Sequence, residues 1–98
     1  MSELLTEPPE YSAVVRVFNN YGLHARPAAL LAAEARKYTA RLSLILGDVE
    51  VDAKSVLDIL TLAAPKGISL TLRGQGEDAE QAVKDLCGLF ATRLTEER

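Results

Sequence analysis

Two different spacings of apolar residues alternate along the chain. In segment 12–18, Ala13, Val15 and Val17 occupy every second position, which is typical of a strand with one buried face. In segment 25–38, apolar residues recur at helical spacing, with Leu31 and Ala35 on one stripe. The same two patterns continue along the chain and predict four strands and three helices.

The predicted strands are 12–18, 41–46, 49–51 and 68–73, and the predicted helices are 25–38, 55–62 and 78–94. In the second helix and just after it, the side chains expected to face the core are those of Val56, Ile59, Leu60 and Ala63. Strand alternation indicates an antiparallel sheet with one wet face, and amphipathic helices are expected to cover the other face. The chain is therefore predicted to be a two-layer α+β domain in the order βαββαβα, and periodicity leaves the strand order open.

Length and composition indicate one globular domain. The 98 residues suffice for a single modest core, and 48% apolar with 26% charged residues is ordinary for such a domain. We interpret residues 1–10, which end near Pro8 and Pro9, as a flexible N-terminal extension. Residues 11–98 are then the single folded domain.

Charge and residue counts exclude several classes of function. A net charge of −3 with 5% aromatic residues and no Trp argues against nucleic-acid binding. No apolar run approaches the ~20 residues that span a bilayer, and no signal peptide is recognisable, so we expect no membrane insertion. The lone Cys87 suits a reducing cytoplasm. One His and one Cys make a metal site improbable, and we expect no cofactor.

The segment 19–29 carries the strongest chemical signal, because it holds the only histidine of the chain, His24. This residue follows a glycine-bearing loop and directly precedes the first predicted helix, where main-chain N–H groups have no intrahelical acceptor. Arg26 adds a planar cation suited to phosphate oxygens, and Pro27 is tolerated in a first helical turn. We therefore predict that His24 accepts and hands on a phosphoryl group, held by the amides of Ala25 and Arg26. From position alone, a histidine that merely caps the helix is an equally good interpretation.

Two separated motifs resemble those of the HPr family, the histidine-containing phosphocarriers of the bacterial phosphotransferase system. Residues 22–28 (GLHARPA) resemble the family's active-site signature, and residues 54–57 (KSVL) with 60–64 (LTLAA) resemble its second characteristic segment. The resemblance extends over residues 11 to 92. It implies an open-faced sandwich whose four-stranded sheet has the order 1-4-2-3, covered on one face by three helices.

The resemblance also implies a function. A phosphocarrier of this family accepts a phosphoryl group from phosphorylated enzyme I, here on His24 with the help of Arg26, and passes it to enzyme IIA domains. In the family the Nδ1 nitrogen carries the group. Such a protein is a phosphoryl-transfer component rather than a stand-alone enzyme, and we expect a monomer. The alternative is a regulatory HPr-like module, of the nitrogen-type or catabolite-control branch, that acts mainly by binding partner proteins.

Ser55 and its neighbours form the second candidate site. The S-x-x-D pattern from Ser55 to Asp58 predicts an N-cap and part of a capping box. The family resemblance adds phosphorylation of Ser55 by HPr kinase/phosphorylase as a regulatory step. We also expect Leu23, Val56 and Leu57 to form an exposed apolar patch for docking partners.

Overall fold

The computed structural model describes residues 8–92, which form one sheet and three helices. The strands are β1 (Glu10–Arg16), β2 (Arg41–Leu46), β3 (Val49–Asp52) and β4 (Ser69–Gln75), and the helices are α1 (Ala25–Ala35), α2 (Val56–Thr61) and α3 (Ala79–Ala91). The order βαββαβα predicted from the two periodicities is confirmed.

The four strands are antiparallel and lie in the order β1-β4-β2-β3. Leu72 of β4 lies opposite Ala13 of β1 on one side and opposite Leu44 of β2 on the other. The pairing of β1 with β4 joins segments that are far apart in the sequence, so local periodicity carries no signal for it. The α+β open-faced sandwich implied by the family resemblance is confirmed.

Alternate residues of the sheet point toward the helices and form the core. Leu70 and Leu72 of β4 are almost completely buried, as are Leu31 of α1 and Leu86 of α3. Each such side chain contributes on the order of 1.5–3 kcal/mol when it leaves water. Val14, on the opposite face of β1, is exposed.

Gly74 of β4 allows α3 to pack closely on the sheet. A Cβ atom at this position would lie 3.0 Å from Cδ2 of Leu42 and 3.1 Å from Cγ2 of Val83. Both of those side chains are buried, so neither has free space into which it can move. The absence of a side chain at Gly74 thus makes room for core residues from β2 and α3.

Several element ends differ from the predictions. β1 begins and ends two residues earlier than predicted, because its pairing with β4 runs from Glu10 opposite Gln75 to Arg16 opposite Ser69. Glu10, which we assigned to the N-terminal extension, therefore belongs to the sheet. α1 ends at Ala35 rather than near residue 38. Residues 1–7 and the predicted end of the last helix at residue 94 lie outside the described residues.

The expectation that Ala63 faces the core is wrong. Ala63 is exposed and adopts φ +49°, in the left-handed region that L-residues other than glycine enter at a cost. Its N–H donates to the carbonyl of Leu60 over 3.1 Å. The chain reverses here after α2, so Ala63 belongs to the connection that leads into β4.

Two aspartates of the α3 region hold the connection between α1 and β2. The carboxylate of Asp78, just before α3, accepts hydrogen bonds from the N–H groups of Thr39 (2.9 Å) and Ala40 (2.8 Å). These bonds lower the pKa of Asp78. Asp85 accepts from the Tyr38 hydroxyl, which lowers the pKa of Asp85 and raises the pKa of Tyr38 to about 12.

We predict that the free energy of unfolding falls as the pH drops below about 4, the ordinary range of an aspartate. Because the pKa values of Asp78 and Asp85 are lowered in the folded protein, acid protonates these groups first in the unfolded chain. Urea unfolding at pH 7 and pH 3 measures the effect. Asp78→Asn removes one of the two carboxylates and should flatten part of the pH dependence. An unchanged pH dependence in this variant would contradict the assignment.

Candidate active site

The connection between β1 and α1 is held in place by main-chain hydrogen bonds. The Gly22 N–H donates to the carbonyl of Asn19 over 3.1 Å and closes a turn, and the His24 N–H donates to the carbonyl of Gly22 over 3.0 Å. Between these two bonds, the Leu23 N–H donates to the carbonyl of Ala64 over 3.0 Å. This last bond joins the β1–α1 connection to the α2–β4 connection.

Gly22 is required at its position for two reasons. Its φ is +71°, and a Cβ atom there would lie 2.3 Å from the carbonyl oxygen of Ala64. That oxygen is the same one that accepts the Leu23 N–H, so it cannot move away without breaking the contact between the two connections. The glycine of the signature thus allows two stretches of backbone to touch beside His24.

His24 is the residue directly before α1, with an extended backbone of φ −83° and ψ −169°. Its carbonyl accepts the first helical hydrogen bond, from Ala28 at 3.0 Å, while its side chain makes no capping hydrogen bond. The interpretation of His24 as a helix-capping side chain is therefore wrong. The imidazole is only partly buried.

The first turn of α1 has the properties of an anion site. Ala25 and Arg26 are exposed, and α-helical geometry gives their N–H groups no intrahelical acceptor. Pro27 carries no N–H, and the first turn contains no acidic side chain that would oppose an anion. The residues predicted to hold a phosphoryl group, Ala25 and Arg26, therefore come directly after His24 in the first turn of α1.

The two touching connections lie in stretches of sequence that carry cations and no carboxylate, although the net charge of the chain is negative. No Asp or Glu lies between residues 10 and 34 or between residues 58 and 77, the two stretches that contain the touching connections. The charged residues within these stretches are Arg16, Arg26, Lys66 and Arg73, and of these Arg73 lies away from His24 and forms an ion pair with Glu50 at 2.6 Å. The Lys66 Nζ, from the α2–β4 connection, donates to Asn20 Oδ1 over 2.8 Å, which holds a second cation against the connection that carries His24.

Tyr21 is a site residue that the sequence interpretation missed. Its ring lies edge-to-face against the imidazole of His24, with centroids 6.0 Å apart and an interplanar angle of 83°. The side chain is 78% exposed. The available signal was an aromatic residue three positions before the histidine, at the tip of a predicted loop.

Ser55 is the N-cap of α2, as predicted. Its Oγ accepts a hydrogen bond from the Asp58 N–H over 3.2 Å. The reciprocal bond of a capping box is absent, since the Ser55 N–H donates to the carbonyl of Asp52 over 3.1 Å.

Ser55 and His24 lie toward opposite ends of α1. The Arg36 Nε, just after α1, donates to the carbonyl of Lys54 over 2.9 Å, and the Lys54 Nζ donates to the carbonyl of Tyr38 over 2.6 Å. Lys54 directly precedes Ser55, whereas His24 directly precedes the other end of α1. Eleven helical residues correspond to about 16 Å. The two candidate sites are therefore separate.

The three residues expected to form a docking patch have different environments. Leu57 is 75% exposed, and Val56 is partly buried against the core. Leu23 is only 4% exposed, so the expectation that its side chain is on the surface is wrong. Its N–H is bonded to Ala64 and its side chain packs inward, which anchors the backbone immediately before His24.

The described part of the chain, residues 8–92, contains no cluster of three or more His, Cys, Asp or Glu side chains that could hold a metal ion. Within the same residues, no helix combines the length and the apolar character needed to cross a bilayer. Cys87 is half-buried, and burial raises the pKa of its thiol, which disfavours the reactive thiolate.

Comparison with known proteins identifies the family. The family model described as the PTS HPr component phosphorylation site matches residues 11–92. Phosphocarrier protein HPr of Haemophilus influenzae is 38% identical over 82 residues, which cover 84% of this chain and 96% of that protein. Phosphocarrier protein NPr of Shewanella violacea is 37% identical over 82 residues, which cover 84% and 90%. The crystal structure of HPr-C-His from Thermoanaerobacter tengcongensis has a TM-score of 0.84 at 33% identity and covers 90% of this chain and 99% of that chain.

A chain with this fold, matched in this way over most of its length, belongs to the HPr family of phosphocarrier proteins of the phosphotransferase system. Members of this family exchange phosphoryl groups with other proteins of that system, and these are the partners that the family implies.

We predict that Gly22→Ala destabilises the fold more than Gly47→Ala does. Gly47 also has a positive φ (+60°), but a Cβ there meets nothing within 4 Å, so that variant carries only the backbone cost of about 1–2 kcal/mol. Gly22→Ala adds a clash with the Ala64 carbonyl and should lose about 1–3 kcal/mol more. Urea unfolding measures both variants, and equal losses would contradict the close approach at Gly22.

Proposed function

We propose that this chain accepts a phosphoryl group on His24 from phosphorylated enzyme I and passes it to enzyme IIA domains. The observation that carries the proposal is the state of the His24 side chain. It is partly exposed, makes no capping hydrogen bond, and stands at the start of a helix whose first turn has an exposed arginine and no acidic residue.

The reaction exchanges one nitrogen–phosphorus bond for another. A lone pair of the neutral His24 imidazole attacks the phosphorus of a phosphohistidine on the donor, and the new bond forms as the donor bond breaks. The donor ring keeps the electron pair of the broken bond, and the second nitrogen of each ring keeps its proton. Because the transition state of such transfers is loose, catalysis depends on ring orientation and on stabilising the phosphoryl oxygens.

Ala25 and Arg26 supply that stabilisation in our proposal. Their N–H groups and the Arg26 guanidinium face the phosphoryl oxygens once the group is bound to His24. Hydrogen bonds to charged oxygens are stronger than neutral ones, and a planar guanidinium can contact two oxygens together. The phosphoryl group keeps these contacts both when it arrives from the donor and when it leaves for the acceptor. The side of the group that faces away from α1 stays open to either partner protein.

The cations of the two touching connections support docking of an acidic partner surface. Arg16, Arg26 and Lys66 lie on or beside the two touching connections, and no carboxylate lies within those stretches of sequence. Opposite charge on a partner raises the rate of encounter, and salt screens this attraction. Transfer to and from this chain should therefore slow as ionic strength rises.

Labelled phosphoenolpyruvate with enzyme I tests the proposal. We predict that the wild-type chain is labelled, that His24→Ala is not, and that Arg26→Ala is labelled about tenfold or more slowly because it loses a donor to the phosphoryl oxygens. Arg26→Lys keeps the charge without the planar fork and should fall between wild type and Arg26→Ala.

Arg41→Ala is the matched control for this assay. It removes an exposed arginine that is the first residue of β2 and lies opposite Gln75 of β4, away from His24. Its labelling rate should equal that of wild type. Label on His24→Ala would refute the assignment of the acceptor. Acceptor assays with sugar-type and nitrogen-type enzyme IIA domains then assign the branch.

We also propose that phosphorylation of Ser55 by HPr kinase/phosphorylase regulates this carrier. The support is its partly exposed position at the start of α2, two residues before Leu57, an exposed apolar residue suited to docking. A phosphate adds about −1.5 to −2 charge there and would disfavour contact with an acidic partner. The hydroxyl is already at the surface end of the helix, so the modification requires no rearrangement of the core.

Incubation with such a kinase and ATP, followed by mass spectrometry, tests the regulatory site. We predict one added phosphate on Ser55, none on Ser55→Ala, and full modification of Ser69→Ala, which removes an exposed serine elsewhere. The modified chain should be labelled more slowly by enzyme I. Absence of phosphate from Ser55 would end the regulatory proposal and would leave the His24 assignment untouched.

A further inference from the structure

The contact between Tyr21 and His24 is unusual because one partner is almost entirely in water. The Tyr21 side chain is 78% exposed, and its ring nevertheless meets the imidazole edge-to-face at a centroid distance of 6.0 Å. This geometry is one that aromatic pairs prefer. A ring placed at a loop tip with so little burial contributes little to the core, so its location calls for another explanation.

The backbone between the two rings is fixed at every residue. Asn19 is 2% exposed and its carbonyl accepts the Gly22 N–H, which makes Tyr21 a central residue of a closed turn. Gly22 abuts the Ala64 carbonyl and Leu23 is buried and bonded to the same oxygen. The main-chain bonds therefore fix the backbone positions of both Tyr21 and His24. This geometry keeps the Tyr21 ring within reach of the imidazole.

We propose that Tyr21 is a positioning residue that restricts the His24 imidazole to the orientation used for phosphoryl transfer. This inference rests on the proposed function of His24. A histidine without such a neighbour rotates about two side-chain torsions, and only part of that ensemble directs a ring nitrogen at an incoming phosphorus. The tyrosine ring occupies one side of the imidazole and removes orientations that turn toward it.

A docking role for Tyr21 is the competing explanation, since an exposed aromatic ring also suits a protein interface. The two roles predict different results when the phosphoryl donor is changed from a protein to a small molecule. A docking contact matters only when the phosphoryl donor is a protein. A positioning contact also matters for a small donor such as phosphoramidate, from which ammonia leaves with the electron pair as the bond from the imidazole nitrogen to phosphorus forms.

The test compares Tyr21→Phe, which keeps the ring, with Tyr21→Leu, which keeps apolar bulk without it. We expect Tyr21→Leu to be phosphorylated by phosphoramidate about three- to tenfold more slowly, the range set by a typical aromatic pair, and Tyr21→Phe to match wild type. With enzyme I as donor, Tyr21→Leu should lower kcat for the carrier and leave its KM unchanged. Phe18→Leu removes another exposed aromatic ring from the same connection. Its rate of phosphorylation by phosphoramidate should equal that of wild type.

Proton NMR tests whether the contact between the two rings exists in solution. The two carbon-bound imidazole protons of His24 should shift in Tyr21→Leu, because the ring current of the tyrosine is lost, and should stay near wild type in Tyr21→Phe. Urea unfolding should give similar stabilities for the three proteins.

Equal phosphoramidate rates for wild type and Tyr21→Leu overturn the proposal, including the case in which only the enzyme I reaction is impaired. Equal impairment of Tyr21→Phe and Tyr21→Leu also overturns it, because the hydroxyl would then be the active group. Failure of the proposed function is a separate result. In that case wild type is unreactive toward enzyme I, while the phosphoramidate rates and the imidazole proton shifts still report on Tyr21.

Discussion

A single carbonyl group holds the candidate site together. The oxygen of Ala64 accepts the Leu23 N–H, and the backbone of Gly22 approaches the same oxygen so closely that no side chain fits between them. This contact joins the loop before α1 to the loop before β4. Because Leu23 is buried as well as hydrogen-bonded, the backbone is anchored directly before His24, whose side chain is partly exposed.

The same contact explains how a small sheet can carry an exposed reactive group. β1 and β4 are neighbours in the sheet. The loop that leaves β1 and the loop that enters β4 touch at the same end of the two strands. Their main-chain bonds continue the order of the sheet into the loops, with the Val17 N–H donating to Ile68 over 2.9 Å and the Gly67 N–H donating to Val17 over 2.7 Å. The connection that carries His24 is thus held by strand pairing between segments that are far apart in the sequence. That pairing brings together two stretches of sequence that contain no carboxylate.

Local signals in the sequence were sufficient for local structure. The cap at Ser55 was predictable because its serine and aspartate stand three residues apart, and the position of His24 before α1 followed from the glycine and the helical pattern after it. The strand order came from family resemblance, since a pairing between distant segments leaves no trace in periodicity. The exposure of Leu23 was mispredicted for the same reason, because the core that buries it comes from other parts of the chain. The loop before His24 was predicted from its residues, but the contact of Tyr21 with His24 depends on the main-chain hydrogen bonds that close its turn, and a loop prediction does not specify these.

The central claim is that the start of α1 holds a phosphoryl group bound to His24, and amide NMR spectra of the unmodified and phosphorylated chain test it most directly. The account predicts that the amide protons of Ala25 and Arg26 shift downfield when the group is attached, as expected for new hydrogen bonds to charged oxygens, while amides around Ser55 change little. Unchanged Ala25 and Arg26 amides in a chain phosphorylated on His24 would contradict it.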